Sequence, residues 1–388
     1  MYSGRTVFSQ VMDFLPLEEF RQCVARYAGD HKLKSFSCLD HFFTLAFAQL
    51  SARQSLRDIE ACLKAMQPRL YHMGFRGKVS RNNLAHANEH RDWRIYADLA
   101  QVLIAEVRPL YRDEDFGAEL EQTVYALDAT TIDMCLSLCP WAPFQRSRGA
   151  IKLQTLLDLR GSIPTFILVT NGRVNDKTIL DHVPLEVGAF YVMDRGYIHF
   201  KRLFGMTTSA AFFVIRGHQK MQFRRRYSRS VDLSTGLRAD QTVMLTGSDT
   251  RRDYPSPIRR VRFFDEATGT RFTFVTNNFA LPALTIANLY KSRWQIELFF
   301  KWIKQHLRIK AFYGNSANAV KTQIWTAISV YLLVAILKKR LEIPHTLYTI
   351  LQVIGLTLFE KQPILQAFPR PSHPSLIADP ANQMNLFS

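Results

Sequence analysis

Two short apolar runs each end on an aspartate: Val124–Leu127 on Asp128, and Phe190–Met193 on Asp194. An acid at the C-terminal end of a strand lies at the mouth of an α/β sheet, where ligand sites form. On neighbouring strands the two carboxylates would stand side by side and offer oxygen ligands to a hard cation such as Mg²⁺. Taken singly, either reads more readily as a turn or cap residue. A third acid tips the balance. Glu297 lies in YKSRWQIELFFKWIK, where Tyr290, Arg293, Glu297 and Lys304 sit at offsets of 0, 3, 7 and 14. At about 100° per residue, these four fall on one helical stripe roughly 60° wide. Burying a carboxylate, two cations and a phenol against an apolar core is costly. A cleft holding metal and phosphate would suit them. A solvated face with Arg293–Glu297 pairing gives the same spacing. Yet Trp294, Ile296, Leu298, Phe299, Phe300, Trp302 and Ile303 make the rest of this helix apolar, which leaves the stripe as its open side.

The elements that must position these side chains follow from the hydrophobic rhythm. TVYALDATTIDMCL, IKLQTLLDL, IPTFILVTNG and AFYVMDRGY are β-rich runs broken by turn residues. NDKTILDHVP reads as a helix between the third and fourth, and KRLFGMTTSAAFFVIRG as a helix followed by a fifth strand. Residues 121–216 therefore predict an α/β core with a mixed sheet. Residues 217–280 hold shorter strand-like runs (TVMLTG, RRVRFF, RFTFVTN) and read as a β-rich insertion rather than a continuation of that core. Helices return after Pro282, so 281–345 is expected to complete the core, with a C-terminal helix and tail over 346–388. Upstream, 1–75 is expected to be an all-α domain, with a helix start at Ser55, three residues before Asp58. Residues 76–120 are also helical on pattern. Their opening stretch, from Arg76 to Arg94, suits docking on DNA as well as it suits a solvated face.

The chain carries 50 Lys+Arg against 33 Asp+Glu, a net charge of +17. Such an excess points to a polyanion, either nucleic acid or an anionic membrane surface. It is unevenly spread: residues 195–289 hold 16 basic and 6 acidic side chains, or +10 of the total. Arg224, Arg225, Arg226 and Arg229 form one cluster, and Arg251, Arg252, Arg259, Arg260 and Arg262 another, with Phe223, Tyr227, Tyr254, Phe263 and Phe264 among them. Arginine for phosphates and aromatics for bases is the mixture of a nucleic-acid surface. A hydrophobic share of 47% excludes a mainly disordered chain. The five Cys lack zinc-site spacing and are expected to be free thiols in a reducing compartment. The N-terminus has no signal-peptide pattern. The longest apolar run, Ile324–Leu337, covers 14 residues and reads as a core helix, too short to span a bilayer. A cytoplasmic protein with no membrane partner is expected.

These motifs resemble those of the DDE insertion-sequence transposases, in the large cut-and-paste family named after insertion sequence four. That family's signature is tyrosine, two residues, arginine, three residues, glutamate, six residues, lysine. Tyr290, Arg293, Glu297 and Lys304 match every position. LDATTID around Asp128 resembles the strand of the first family acid, and DRGY from Asp194 matches the motif of the second. FYGNSANAVKTQIW, from Phe312, resembles the segment after the signature helix. The resemblance covers roughly residues 1–345.

The resemblance implies an RNase H-like mixed sheet with flanking helices, and a β-rich insertion before the Glu-bearing helix. It implies that Asp128, Asp194 and Glu297 are catalytic and bind two Mg²⁺ ions, with Mn²⁺ as a substitute. Tyr290, Arg293 and Lys304 would hold DNA phosphates near the transposon end. Arg224, Arg225, Arg226, Arg259 and Arg260 of the basic insertion would add to the DNA surface. The implied partners are double-stranded DNA, at the element's terminal inverted repeats and at the target, and a second copy of the chain in the DNA complex. The implied location is the bacterial cytoplasm, on the nucleoid when DNA is bound. One departure stands out: relatives stack a flipped base on a Trp of the insertion, and none of the five Trp here lies in 195–289. Two other readings stay open on the residues: a DNA-binding descendant that no longer cuts, and an RNase H-like nuclease acting on RNA or branched DNA.

Overall fold

A computed structural model describes residues 4–32, 35–117, 120–145, 148–218, 221–306 and 312–368. The tail beyond Phe368, assigned above to the C-terminal segment, lies outside the described residues. Six helices come first: α1 (Val7–Met12), α2 (Leu17–Arg26), α3 (Cys38–Leu50), α4 (Leu56–Ala65), α5 (Arg81–His90) and α6 (Arg94–Leu110). Their starts follow local chemistry. The hydroxyls of Thr6, Ser37, Ser55 and Ser80 each accept a backbone N–H from the first turn, and at α3 the Asp40 carboxylate returns the bond to form a capping box.

The sheet follows with β1 (Val124–Met134), β2 (Gly149–Asp158), β3 (Ile163–Asn171), β4 (Phe190–Met193) and β5 (Phe212–Arg216), with α7 (Phe200–Thr208) before β5. The segment expected to be a helix at 175–184 is a 3₁₀ turn, Asp176–Asp181. Next come β6 (Phe223–Arg229), β7 (Leu237–Leu245), a short α8 (Ser248–Asp253), β8 (Ile258–Asp265) and β9 (Thr270–Thr276). The chain then closes with α9 (Ala283–Ser292), α10 (Trp294–His306), α11 (Ala317–Arg340) and α12 (Leu347–Thr357).

All nine strands form one sheet, ordered β3-β2-β1-β4-β5-β9-β8-β7-β6. The first three pair antiparallel, and β4 and β5 run parallel to β1. This is the expected mixed α/β architecture with flanking helices and an N-terminal helical region. The basic insertion, however, is not set apart from the core sheet. β9 returns antiparallel beside β5, pairing Val214 with Thr276, and so extends the sheet outward to β6. Short alternating runs announce strands but not the edge on which they pair.

One apolar core runs from α1 and α3 through α6 and α11 to the inner face of the sheet. A second lies on the other face, around Tyr191, Phe213 and Tyr254. The run Ile324–Leu337 belongs to the 24-residue α11, which is long and apolar enough to cross a bilayer. Its apolar window is 94% buried against the rest of the chain, so it serves as the central core helix.

Candidate active site

Asp128 does not end its strand, as the apolar run suggested. β1 continues to Met134 because β2 pairs with it throughout. What ends there is the parallel partner. The last β1–β4 register pair is Leu127 with Met193, so Asp128 and Asp194 are the next residues on two adjacent strands. Strand alternation puts Asp128 on the face of Val124 and Ala126, and Asp194 on that of Phe190 and Val192, all in the same core. The two acids thus leave the sheet side by side towards one face.

Glu297 reaches that face from α10, which packs on β1. The signature runs over two helices that meet at one residue of helical φ and ψ: α9 stops at Ser292 and α10 starts at Trp294. Arg293 occupies the junction, its backbone N–H bonding three residues back to Tyr290 and its carbonyl accepting from Ile296. Its guanidinium bridges two acids. Nη1 donates to Asp128 Oδ2 at 2.9 Å and Nη2 to Glu297 Oε1 at 2.6 Å. The Tyr290 hydroxyl donates to Asp194 Oδ1 at 3.0 Å. Two signature residues therefore hold all three acids, Arg293 joining Asp128 to Glu297 and Tyr290 binding Asp194 separately. Lys304 follows on α10, half-buried.

The electrostatics are those of a partly desolvated acid cluster. Burial pushes the Asp128 carboxyl up to about 6, and the charges of Glu297 and Asp194 add to this. The Ala129 N–H, which donates at 2.8 Å, and Arg293 oppose it. Burial likewise raises the Tyr290 phenol to about 12. An all-carboxylate donor set fits a hard divalent cation rather than a soft one. Among the described residues, however, no three His, Cys, Asp or Glu side chains converge closely enough to hold an ion. The acids are linked through Arg293 and Tyr290 instead.

Two neighbours escaped the sequence reading. Tyr197, the tyrosine of DRGY, is 3% exposed, and its hydroxyl is buried without a hydrogen-bond partner. Burial first, and then Asp128, drive its phenol far above the usual value. Thr155 stands opposite Asp128 on β2, fully buried, and its Oγ1 also lacks a partner. Next to the acids opens a cleft of about 290 Å³ lined by Arg216, Phe272, Phe274, Tyr290, Arg293 and Trp294. Trp294, directly after the signature arginine, is 48% exposed there.

The insertion arginines divide. Arg224, Arg225 and Arg226 are exposed on β6, the outermost strand. Arg259 is not a surface residue: it is 2% exposed and grips Asp240 with Nε and Nη2 at 2.8 and 2.9 Å. Its Nη1 donates to the carbonyls of Asn278 and Leu281. Those bonds hold the insertion to the segment entering α9, which corrects its expected place on the DNA surface. Arg260 is half-buried, lying over the Phe223 ring at 4.6 Å and donating to Gln241 Oε1 at 2.8 Å. Asp158, the last residue of β2, is buried beside Arg108.

Residues 119–333 match the family described as a transposase DDE domain, and residues 3–76 a domain of unknown function, DUF4372. A protein named as transposase y4zB in Sinorhizobium fredii is 32% identical over 297 residues, covering 75% of this chain and 81% of the relative. One named for insertion sequence element IS5377 of Geobacillus stearothermophilus is 30% identical over 53% of this chain and 54% of its own. A third, named for element IS4SA of a Synechocystis strain, is 24% identical over 91% and 95%. Among solved structures, the piggyBac transposase synaptic complex with hairpin DNA aligns with a TM-score of 0.45 and 8% identity, over 94% of this chain and 82% of that one.

Proposed function

The chain belongs to the transposase DDE family, and from that premise we propose that it moves an insertion sequence by cut-and-paste phosphoryl transfer. The supporting observation is the adjacency of Asp128 and Asp194 on parallel strands, with Glu297 joined to Asp128 through Arg293. DDE transposases generally use divalent metal ions; here Asp128, Asp194 and Glu297 would hold Mg²⁺ or Mn²⁺, two ions in all. When bound, such ions activate an attacking water or 3′-OH and neutralise the leaving oxygen of an in-line displacement.

The chain's own side chains do the rest. Tyr290 fixes one oxygen of Asp194 by donating its hydroxyl to it. Arg293 presents a cation beside the acids, where a DNA phosphate approaches, and Lys304 adds a second about two turns beyond Glu297 on α10. A bidentate guanidinium accepts phosphate as readily as carboxylate. The exposed Arg224, Arg225 and Arg226 carry the flanking duplex. The reaction is nicking at the element end, attack of the freed 3′-OH on the opposite strand, opening of that hairpin, and strand transfer into target DNA. We assign the work to a homodimer on paired ends, acting in the bacterial cytoplasm.

Asp128→Ala, Asp194→Ala and Glu297→Ala are each expected to lower Mn²⁺-supported nicking of an element-end duplex by at least about 10³-fold, while gel-shift affinity for that duplex persists. Normal cleavage by any one of the three would sink the assignment.

A further inference from the structure

The signature arginine sits where a transposase of this kind needs a cation, between two of its acids. We infer that Arg293 is an exchangeable internal cation: in the DNA-free protein it holds Asp128 and Glu297 in the place of a divalent ion, and a DNA phosphate draws it off, so that DNA binding and ion binding favour one another. This rests on the reading of Asp128, Asp194 and Glu297 as ion ligands.

Three observations carry it. First, the guanidinium spends one nitrogen on each carboxylate, at 2.9 and 2.6 Å, from two elements far apart in sequence. A divalent ion between the same two carboxylates would compete with the guanidinium for their negative charge, and the two cations repel each other. Among the described residues no three acids converge on an ion site while it sits there. Second, the arginine is not saturated. Its Nε is buried without a hydrogen-bond partner, although the side chain is only 15% exposed. A fork with an idle donor is better satisfied by a ligand with more acceptor oxygens, and a phosphate is one. Third, the helical hydrogen-bond pattern is interrupted at this residue, although its φ of −55° and ψ of −28° stay helical. α9 and α10 are separate helices joined through Arg293 by bonds to residues three away, the tighter geometry that marks hinges inside helices. Glu297, over half exposed, is free to follow a shift of that joint. Tyr290 meanwhile keeps Asp194 in place by a separate bond.

Linkage makes the consequence reciprocal: whatever factor DNA adds to ion affinity, the ion adds to DNA affinity. The experiment is Mn²⁺ binding to the full-length protein, followed by electron paramagnetic resonance. It is run with and without a duplex carrying the terminal repeat that flanks the reading frame. Wild type is expected to bind Mn²⁺ at least about tenfold more tightly with the duplex present. Arg293→Gln is expected to bind Mn²⁺ without DNA at least about tenfold more tightly than wild type, and to lose most of the DNA enhancement. Arg293→Lys, which keeps one charge but not the fork, should fall between and guards against a folding defect in the glutamine variant. Equal DNA-free affinities for wild type and Arg293→Gln would overturn the inference. So would a DNA enhancement that survives the substitution. The underlying site fails differently: Mn²⁺ binding that persists unchanged in Asp194→Ala would show that the ion goes elsewhere.

Discussion

Of the arginines that pair with aspartate in this molecule, Arg259 and Arg293 are satisfied to very different degrees. In the insertion, Arg259 has Asp240 on two nitrogens and main-chain carbonyls on the third, and only 2% of it is exposed. At the face of the three acids, Arg293 splits its nitrogens between Asp128 and Glu297 and leaves Nε with nothing. The first arrangement is closed: all three nitrogens have acceptors, and β7, β8 and the entry to α9 are fastened together. The second is open, because it spans two acids on separate elements and carries an idle donor. The same ion-pair chemistry therefore builds a rivet in one place and a movable part in the other.

The sharpest test of that contrast is stability. Arg259→Ala leaves Asp240 charged and buried at 3% exposure, and is expected to cost about 3–5 kcal/mol in urea denaturation. Arg293→Ala is expected to cost about 1 kcal/mol or less, since Glu297 is more than half exposed and Asp128 can take up a proton. Comparable losses would break the comparison.

The next effect is smaller and depends on pH. Burial holds the Asp128 carboxyl at about 6, above its ordinary value. The folded state therefore binds this proton more tightly than the unfolded chain does. Stability falls as pH rises through the window from the ordinary carboxylate range to about 6, and the cost is fully present above it. Asp128→Asn removes that cost along with activity. At pH 7.5 it should be the more stable protein, by at most about 3 kcal/mol and less for the part of the carboxyl open to water. The gap should close as urea titrations are moved towards pH 4. An asparagine variant no more stable at pH 7.5 would mean that Arg293 already compensates the ionised acid in full, which would make it a second rivet.

The sequence allowed some of this contrast to be read and hid the rest. The three acids were legible because an apolar run closing on an acid and a helical spacing are local patterns, and the structure brings them to one face. The junction at Arg293 was not legible: residues 290–296 contain neither Gly nor Pro, so nothing local interrupts the helical period. The attachment of β9 to β5 was hidden because pairing between distant strands leaves no trace in either one. The burial of Arg259 did leave a trace. Along IRRVRFFD, alternation puts Arg259 on the face of Val261 and Phe263, both buried, and Arg260 and Arg262 on the other. Reading that cluster as charge alone merged residues that the period of two separates.

The smallest expected effect concerns the arginines that alternation and position leave outside. Arg224, Arg225 and Arg226 line β6, whose outer edge has no partner strand among the described residues. Replacing all three with Ala should change folding stability by no more than about 0.5 kcal/mol each, because exposed side chains away from specific contacts contribute little. The measurable change is in DNA binding. Each lost phosphate contact should reduce the slope of log affinity against log salt by about one, up to about three for the triple variant. Arg260→Ala, removing a side chain stacked on Phe223 and bonded to Gln241, should leave that slope nearly unchanged. An unaltered slope in the triple variant would assign these arginines another task. Charged residues on an open edge also prevent strands of neighbouring molecules from adding to the sheet. In that case the variant would aggregate while binding DNA as before, and light scattering beside the salt titration separates the two outcomes.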